Sequence, residues 1–372
     1  MSSPVLCGLP PEELAALLNF LPRFRAAQIF KWIAAGVSSF AEMKNLPLSL
    51  REELAGRFAL RSSAVDARRE DPDGTVKLGV RLADGARIEA VLLAGGNGRR
   101  TACLSTQAGC PAGCVFCKTG SLGFTRNLTS AEIVEQFLFL RAAALEEAAA
   151  AGEGAAESRA AGAKGRAGRA VANIVIMGMG EPLLNLAEVR RALAVITCRQ
   201  GMDFSKRRIT LSTCGIGAGI IDLAEKGPAV RLALSLTTAD EALRRRLMPI
   251  TEAHHLSEIK EALACFQRAG GGRITLELVL LGGINTRGED AAALADFARG
   301  LDVVVNLIPW NPVEGLKTDD GRPLRQPSSG EAAAFASRLE AAGLKVTRRF
   351  RKGRGVMGAC GQLGVLPERR ED

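Results

Sequence analysis

The stretch that decides the fold is Cys110-Pro111-Ala112-Gly113-Cys114-Val115-Phe116-Cys117, in which three thiols stand at C-x₃-C-x₂-C spacing. It follows residues 101–105, a run typical of a β-strand. Gly109, Pro111 and Gly113 disfavour a continuing strand or helix, so the backbone curls and can direct three sulfurs towards one point. Thiolates bind either zinc or an iron–sulfur cluster. Because structural zinc usually takes four ligands and no fourth stands nearby, the triplet favours a four-iron cluster with one iron left open.

Composition limits the class of protein. The chain has 372 residues, of which 47% are hydrophobic, enough for one large domain and a small one. We expect no membrane span, because no run of eighteen apolar residues occurs, and the N-terminal sequence predicts no secretory signal. Nine cysteines, an odd number in a large chain, predict reduced thiols and a cytoplasmic protein. The only two histidines, His254 and His255, are adjacent, which argues against a histidine-based metal site or catalytic triad.

The net charge of +9 includes three basic clusters, at 206–208, 244–246 and 348–354. Excess positive charge favours a polyanionic partner, because phosphate contacts release counterions. A solvated, arginine-rich surface explains the same composition equally well. The chain has no tyrosine and only 4% aromatic residues, which argues against aromatic platforms for base stacking.

Apolar periodicity divides the chain. Residues 1–60 predict a small helical domain, and period-two alternation predicts a β-hairpin within 61–100. From residue 101 to 350 strands and helices alternate, with strands expected near 101–105, 171–177, 207–213, 229–236, 273–280 and 302–308. Six such units with parallel strands predict an α/β fold, a partial (β/α)6 barrel that binds ligands at the carboxyl ends of its strands. Residues 148–170, rich in Ala and Gly, predict a flexible insertion or a frayed extension of the preceding helix.

Small polar residues follow several predicted strands, where a ligand would lie. Met177-Gly178-Met179-Gly180-Glu181 follows the second strand, and its glycines allow the backbone to approach a ligand closely. Ser212, Ser235 and Asn311 lie at the ends of later strands. Each taken singly is equally typical of a helix cap or turn. Cys360 lies among glycines in the C-terminal loop at 351–372, which suggests a mobile, reactive thiol.

The cysteine triplet, with an aromatic residue before its last cysteine, resembles the radical S-adenosylmethionine (SAM) superfamily, in which the open iron holds SAM. Together with Cys103, Gly-Met-Gly-Glu-Pro at 178–182, Ile-Pro-Trp-Asn-Pro at 308–312 and Ala-Cys-Gly-Gln-Leu at 359–363, it resembles one family within that superfamily. This is the RlmN family of dual-specificity methyltransferases, which act on adenine C2 in 23S ribosomal RNA and transfer RNA. The resemblance extends from about residue 9 to 364.

This resemblance implies a radical SAM barrel whose helical domain at 1–60 binds RNA. It implies a [4Fe-4S] cluster on Cys110, Cys114 and Cys117 and the use of two SAM molecules per turnover. Cys360 would carry the methyl group, Cys103 would resolve the RNA adduct by forming a disulfide, and Glu89 would accept the C2 proton. The residues implied to bind SAM are Gly180, Glu181, Ser212, Ser235, Leu236, Thr237 and Asn311. Thr237 replaces the family's usual histidine. The implied partners are 23S rRNA, tRNA and a flavodoxin-like electron donor, with the protein a monomer.

Three other hypotheses fit parts of the pattern. A Cfr-type adenine-C8 methyltransferase shares the cysteines, although Pro-Leu-Leu-Asn at 182–185 and the intact Ile-Pro-Trp-Asn-Pro favour C2. A zinc-dependent RNA-binding protein, with Cys103 as fourth ligand, would explain the charge and the triplet but not Cys360. A radical SAM enzyme that modifies protein would not explain the pair of isolated thiols.

Overall fold

The computed structural model describes residues 3–150, 170–348, 353 and 355–364. The helical domain at the start of the chain contains α1 (Pro11–Leu17), α2 (Arg23–Ala35) and α3 (Leu48–Arg57). Helix α2 buries Ala26, Ile29, Phe30 and Ile33, the face that its apolar spacing predicts. It ends at Gly36, whose φ of 92° lies in the left-handed region that favours glycine.

Within the described residues, one sheet of ten strands forms the body of the protein, in the order β1-β2-β3-β4-β7-β8-β9-β10-β11-β12. Its strands are β1 (Ala64–Glu70), β2 (Val76–Arg81), β3 (Arg87–Ala94), β4 (Arg100–Cys103), β7 (Asn173–Ile176), β8 (Ile209–Thr213), β9 (Arg231–Ser235), β10 (Ile274–Leu280), β11 (Val303–Pro309) and β12 (Val346–Arg348). Strands β1 to β4 pair antiparallel, and β4 to β12 pair parallel. A separate two-stranded ribbon of β5 (Gln107–Gly109) and β6 (Phe124–Asn127) flanks the cysteine loop.

Helices connect the parallel strands. They are α4 (Lys118–Ser121), α5 (Ser130–Ala150), α6 (Leu186–Thr197), α7 (Gly217–Lys226), α8 (Glu241–Leu247), α9 (Leu256–Arg268), α10 (Gly288–Ala298) and α11 (Ser329–Ala341). The six predicted strands from 101 onward are all present, so the α/β partial barrel is confirmed. All the parallel strands point the same way, so their carboxyl ends form one rim.

Some elements differ from the sequence prediction. The segment at 61–100 forms three strands of the main sheet, because β1 precedes the expected hairpin and pairs with β2. The ribbon of β5 and β6, the helices α4 and α8 and the strand β12 were not expected. Residues 148–150 continue α5, which agrees with the alternative of a helix extension, while residues 151–169 lie outside the described residues.

Charged side chains of α5 join the helical domain to the barrel. Arg141 of α5 donates a hydrogen bond of 2.7 Å to the carbonyl of Ala34, at the end of α2. The carboxylate of Glu135, also on α5, accepts backbone bonds of 2.7 and 2.8 Å from Ser62 and Ser63. Because both groups lie on the same helix, α5 fixes the small domain beside the barrel. Among the described residues, no helix is long and apolar enough to cross a membrane.

Candidate active site

Local backbone contacts shape the cysteine loop. Gly109 has φ of +78°, and a Cβ there would lie 1.9 Å from the carbonyl oxygen of Gly123, so only glycine fits. The amide of Cys110 donates a bond of 2.7 Å to that same oxygen. The amide of Cys117 donates to the carbonyl of Cys114 at 3.1 Å. The loop is therefore a closed turn at the carboxyl rim of the barrel.

The three thiols of this loop lie in surroundings that disfavour bare thiolates. Burial raises the pKa of Cys110 to about 12 and the pKa of Cys114 well above its usual value, and in both cases the neighbouring cysteines add to the shift. Burial also raises the pKa of Cys117. Because burial and, for Cys110 and Cys114, the neighbouring cysteines disfavour ionisation, thiolates here need a cation, and bound iron would supply it. The donor set of three half-buried thiols in one turn therefore fits an iron–sulfur cluster.

Among the residues that the structure describes, no three Cys, His, Asp or Glu side chains converge as the ligands of a single ion do. Cys103, which the zinc hypothesis takes as fourth ligand, instead faces a pocket inside the barrel.

Both glycines of the Gly-Met-Gly-Glu segment after β7 pack tightly against other residues of the protein. A Cβ on Gly178 would lie 2.6 Å from the hydroxyl oxygen of Ser105, and a Cβ on Gly180 would lie 2.6 Å from the Cβ of Gln107. The amide of Glu181 donates a bond of 2.8 Å to the side chain of Gln107. These glycines thus allow the segment to cross the strand that leads into the cysteine loop, whereas the sequence suggested a ligand as the closely approached group.

Glu181 is buried and joins two strand ends. Its Oε1 accepts a bond of 3.0 Å from the amide of Leu183, and its Oε2 accepts one of 2.7 Å from the amide of Cys214, which follows β8. Burial raises the pKa of Glu181, and these hydrogen bonds oppose the shift. The amide of Glu181 bonds to Gln107 at the start of β5, the strand that leads into the cysteine loop.

Strands β8 and β9 bring two of the predicted SAM-binding serines together, with the hydroxyl oxygens of Ser212 and Ser235 at 3.1 Å. Both residues lie near the carboxyl ends of their strands. The amides of Leu236 and Thr237 donate to the carbonyl of Glu277 at 3.0 and 3.2 Å. Thr237 has φ of +62°, a strained conformation for a β-branched residue, and strain of this kind concentrates at ligand sites.

A pocket of about 230 Å³ lies inside the barrel and contains both isolated thiols. It is lined by the ends of β3, β4, β7 and β11 and by residues 358–360 and 363 of the C-terminal loop, with Cys103, Asn311 and Cys360 among its walls. Cys103 is buried and Cys360 is half-buried. The side-chain amide of Asn311 donates a bond of 3.0 Å to the carbonyl of Cys360. Two cysteines separated by most of the sequence therefore face the same small space.

The C-terminal loop at 355–364 is docked against the cysteine loop. The amide of Lys118 donates a bond of 2.8 Å to the carbonyl of Gly361, and the hydroxyl of Thr119 donates one of 2.9 Å to the carbonyl of Leu363. A Cβ on Gly361, the residue after Cys360, would lie 3.9 Å from the Cα of Cys117, so the two loops are in contact. Docking thus holds Cys360 beside the cysteine loop.

Glu89 lies on the same sheet face as Cys103. The register pairs Val91 with Cys103, and Glu89 precedes Val91 by two residues, so strand alternation directs both side chains to one face. Its Oε2 forms a buried ion pair of 2.7 Å with the amine of Lys77 and accepts a bond of 2.8 Å from the amide of Gly364.

Lys77 is the functional residue that the sequence analysis missed. The side chain is fully buried, and its amine also donates a bond of 3.0 Å to the carbonyl of Met357. Burial lowers the pKa of Lys77, and the charge of Glu89 opposes that shift. Both members of the ion pair therefore hold the C-terminal loop. The sequence did contain a signal, since Lys77 and Glu89 lie on adjacent strands and point to the same face of the sheet. Period-two alternation alone, however, assigns both side chains to solvent.

Comparisons with family models and with known proteins identify the relatives of this chain. The profile of the radical SAM superfamily matches residues 159–298, and that of the ribosomal RNA large subunit methyltransferase N-terminal domain matches residues 6–60. A protein of Treponema denticola named as a probable dual-specificity RNA methyltransferase RlmN is 47% identical, over 98% of this chain and 96% of that protein. A protein of the same name from Thermus thermophilus is 40% identical, over 95% of this chain and 94% of that protein.

A solved structure shows the same architecture. The crystal structure of a radical SAM methyltransferase from Sphaerobacter thermophilus superposes with a TM-score of 0.86, at 36% identity, over 97% of this chain and 99% of that one. Identity of this level over nearly the full length of both chains shows common family membership. The chain therefore belongs to the RlmN family of dual-specificity RNA methyltransferases, within the radical SAM superfamily.

Proposed function

We propose that this protein methylates C2 of an adenine in 23S rRNA and of an adenine in tRNA, with two SAM molecules per turnover and a methyl group carried on Cys360. The observation that supports the proposal is the shared pocket, whose lining includes Cys103 at the end of β4 and Cys360 of the C-terminal loop. A carbon flanked by two ring nitrogens is electron-poor and does not attack a sulfonium methyl group, so a carrier residue and a radical step are needed.

The proposed assignments give each thiol a separate role. Cys110, Cys114 and Cys117 would hold the [4Fe-4S] cluster, and the polar strand ends, Gly180, Glu181, Ser212, Ser235, Leu236, Thr237 and Asn311, would hold SAM. Leu236 is fully buried, so its contribution would come from its backbone. When bound, the cluster and SAM would supply a 5′-deoxyadenosyl radical, which removes a hydrogen atom from the methyl group on Cys360.

Residues of the chain itself carry the methyl group and release the modified RNA. The thiolate of Cys360 first takes a methyl group from one SAM. After the radical step, the methylene on Cys360 joins C2 of adenine, and the C2 hydrogen leaves as a proton, together with one electron that the oxidised cluster would take back. Glu89 is the proposed proton acceptor. The thiolate of Cys103 then attacks the sulfur of Cys360, the bond from that sulfur to the methylene carbon breaks, and a proton completes the methyl group. An external thiol reductant must then reopen the disulfide.

Basic and aromatic residues support binding to RNA. Residues 206–208 are exposed at the surface. On the helical domain, Phe24 is 57% exposed, with the guanidinium of Arg25 at 4.9 Å from its ring centre, and Arg57 lies over Phe20 at 3.8 Å. Rings and guanidinium groups of this kind stack on unpaired bases. We further propose that the protein acts as a cytoplasmic monomer and receives electrons from a flavodoxin-like donor.

The deciding experiment replaces each isolated thiol by alanine and incubates the reconstituted protein with RNA and SAM. Cys360→Ala removes the carrier, so neither methylated C2 nor an RNA adduct should form. Cys103→Ala removes only the resolving thiol, so RNA should accumulate on Cys360 as a protein band that collapses on nuclease treatment. Cys265→Ala, a half-buried thiol on α9, is the matched control. Normal turnover by Cys103→Ala, or C2 methylation by Cys360→Ala, would contradict the mechanism.

A further inference from the structure

Arg244 differs sharply from the two arginines that follow it. All three lie on α8, and the sequence places them in one basic cluster. Arg244 is fully buried, whereas the side chains of Arg245 and Arg246 are 41% and 43% exposed and pair with Glu252 and Asp319. Arg244 and Leu247, three residues apart, share the inner face of the helix. Arg244 therefore cannot belong to an RNA-binding surface, which corrects the assignment of the cluster at 244–246.

The guanidinium of Arg244 is satisfied by neutral acceptors from three segments. It donates to the hydroxyl of Thr251 at 2.8 Å, to the carbonyl of Leu236 at 3.2 Å, and to the carbonyl of Cys214. In the described part of the chain, no carboxylate lies within ion-pair distance of it. Burial lowers the pKa of Arg244, and the charges of Glu241 and Glu181 oppose this only from beyond ion-pair distance. A buried cation without a directly bound anion costs several kcal/mol of folding free energy, so its retention points to a further anion close to it.

The cysteine loop lies against this arginine. The amide of Val115, inside the loop, donates a bond of 3.0 Å to the carbonyl of Leu247 on α8. A Cβ on Gly113 would lie 3.6 Å from the ring of Pro249, just after that helix. Arg244 and Leu247 are the two buried residues of α8, so the guanidinium lies on the side of this helix that packs inward, next to the segment that contacts the cysteine loop. Iron bound by Cys110, Cys114 and Cys117 would keep these thiols ionised and so would supply anions on the loop against which α8 packs.

We propose that Arg244 is a positioning residue that supplies the buried counter-charge for the cluster-bound thiolates and so raises the reduction potential of the cluster. The inference rests on the proposed function for the identity of the cluster. A four-iron core of charge 2+ with three thiolates carries a net charge of −1, and one electron from a low-potential donor makes it −2. A nearby fixed cation stabilises the second state more than the first, because the attraction grows with the charge.

The test compares Arg244→Gln, Arg244→Lys and the control Arg245→Gln in the full chain, reconstituted anaerobically with iron and sulfide. The readouts are iron and sulfide per chain and the midpoint potential from a redox titration followed by electron paramagnetic resonance, without SAM or RNA. In Arg244→Gln the ratio of reduced to oxidised cluster at a given potential should fall at least tenfold, a shift of about 59 mV for one electron. The midpoint potentials of Arg244→Lys and Arg245→Gln should differ from that of the wild type by less than about 59 mV.

An Arg244→Gln potential equal to that of Arg245→Gln would overturn the proposal. If Arg244→Gln does not fold, as judged by circular dichroism, Arg244→Lys decides, because it keeps the charge without the three-way clamp. A folded Arg244→Lys protein with the wild-type potential supports a charge role. Two results would show that the three hydrogen bonds of Arg244 matter and its charge does not. One is misfolding of both variants, and the other is an Arg244→Lys midpoint potential lowered by more than about 59 mV. Failure of the proposed function is distinct, because then the wild type would take up no cluster.

Discussion

Replacing Lys77 by methionine should release the C-terminal loop. Methionine keeps much of the buried apolar volume but removes the amine that donates to the carbonyl of Met357 and pairs with Glu89. A hydrogen bond from a charged donor contributes about 1.5–3 kcal/mol. Since each 1.4 kcal/mol is a factor of ten, the undocked fraction of the loop should rise about 10- to 150-fold. This is a lower bound, because undocking also lets the unpaired carboxylate of Glu89 regain water.

The alkylation rate of Cys360 measures this opening. Cys360 belongs to the docked loop and is half-buried against the barrel, so iodoacetamide should modify it mainly in the undocked state, at a rate proportional to the undocked fraction. Peptide mass spectrometry at successive times gives the rate for Cys360 alone. Lys77→Met should accelerate it by the factor above, while Lys77→Arg, which keeps a charged donor, should restore much of the protection.

The control is Lys226→Met, which removes an exposed lysine paired with Asp222 on α7. Its Cys360 rate should equal that of the wild type. Equal rates for Lys77→Met and Lys226→Met would refute the conclusion that the buried ion pair holds the loop.

Cys114→Ala should abolish the brown absorbance of the reconstituted protein and its cleavage of SAM, and retained SAM cleavage would contradict the cluster assignment. RNA affinity should fall steeply as the salt concentration rises. Replacing the basic residues at 206–208 by glutamine should reduce the slope of log K against log salt by roughly 0.7 to 0.9 for each phosphate that the protein no longer neutralises. A wild-type affinity that does not change with salt would rule out phosphate binding. Burial raises the pKa of Cys7 above its usual 9.0, so above pH 9.0 the unfolded state loses the proton that the folded state keeps, and stability falls as pH rises. Cys7→Ala should make that fall shallower by about 1.4 kcal/mol per pH unit, measured from urea midpoints, and an unchanged slope would show that the thiol ionises freely in the folded protein.

The local pattern of the sequence predicted the barrel well. Parallel strands buried on both faces require continuous apolar runs, and amphipathic helices require 3.6-residue spacing, so each unit from residue 101 onward could be recognised from its own residues. The cysteine loop was equally local, because Gly109, Pro111 and Gly113 dictate a turn and the thiols lie within eight residues. Short elements such as β12 and α8 carry too few residues for a periodic signal.

Only the tertiary structure decided which charged residues are buried. Lys77 alternates with apolar neighbours as a solvent-facing residue would, yet the C-terminal loop covers its face of the sheet. Arg244 stands in a run of three arginines, and the side of α8 that packs inward determines which one leaves solvent. Pairing between Lys77 and Glu89 depends on strand register, and the meeting of Cys103 with Cys360 depends on how the chain returns to the first parallel strand. Spacing along a chain sets local geometry, but burial and proximity across hundreds of residues arise only when the elements pack.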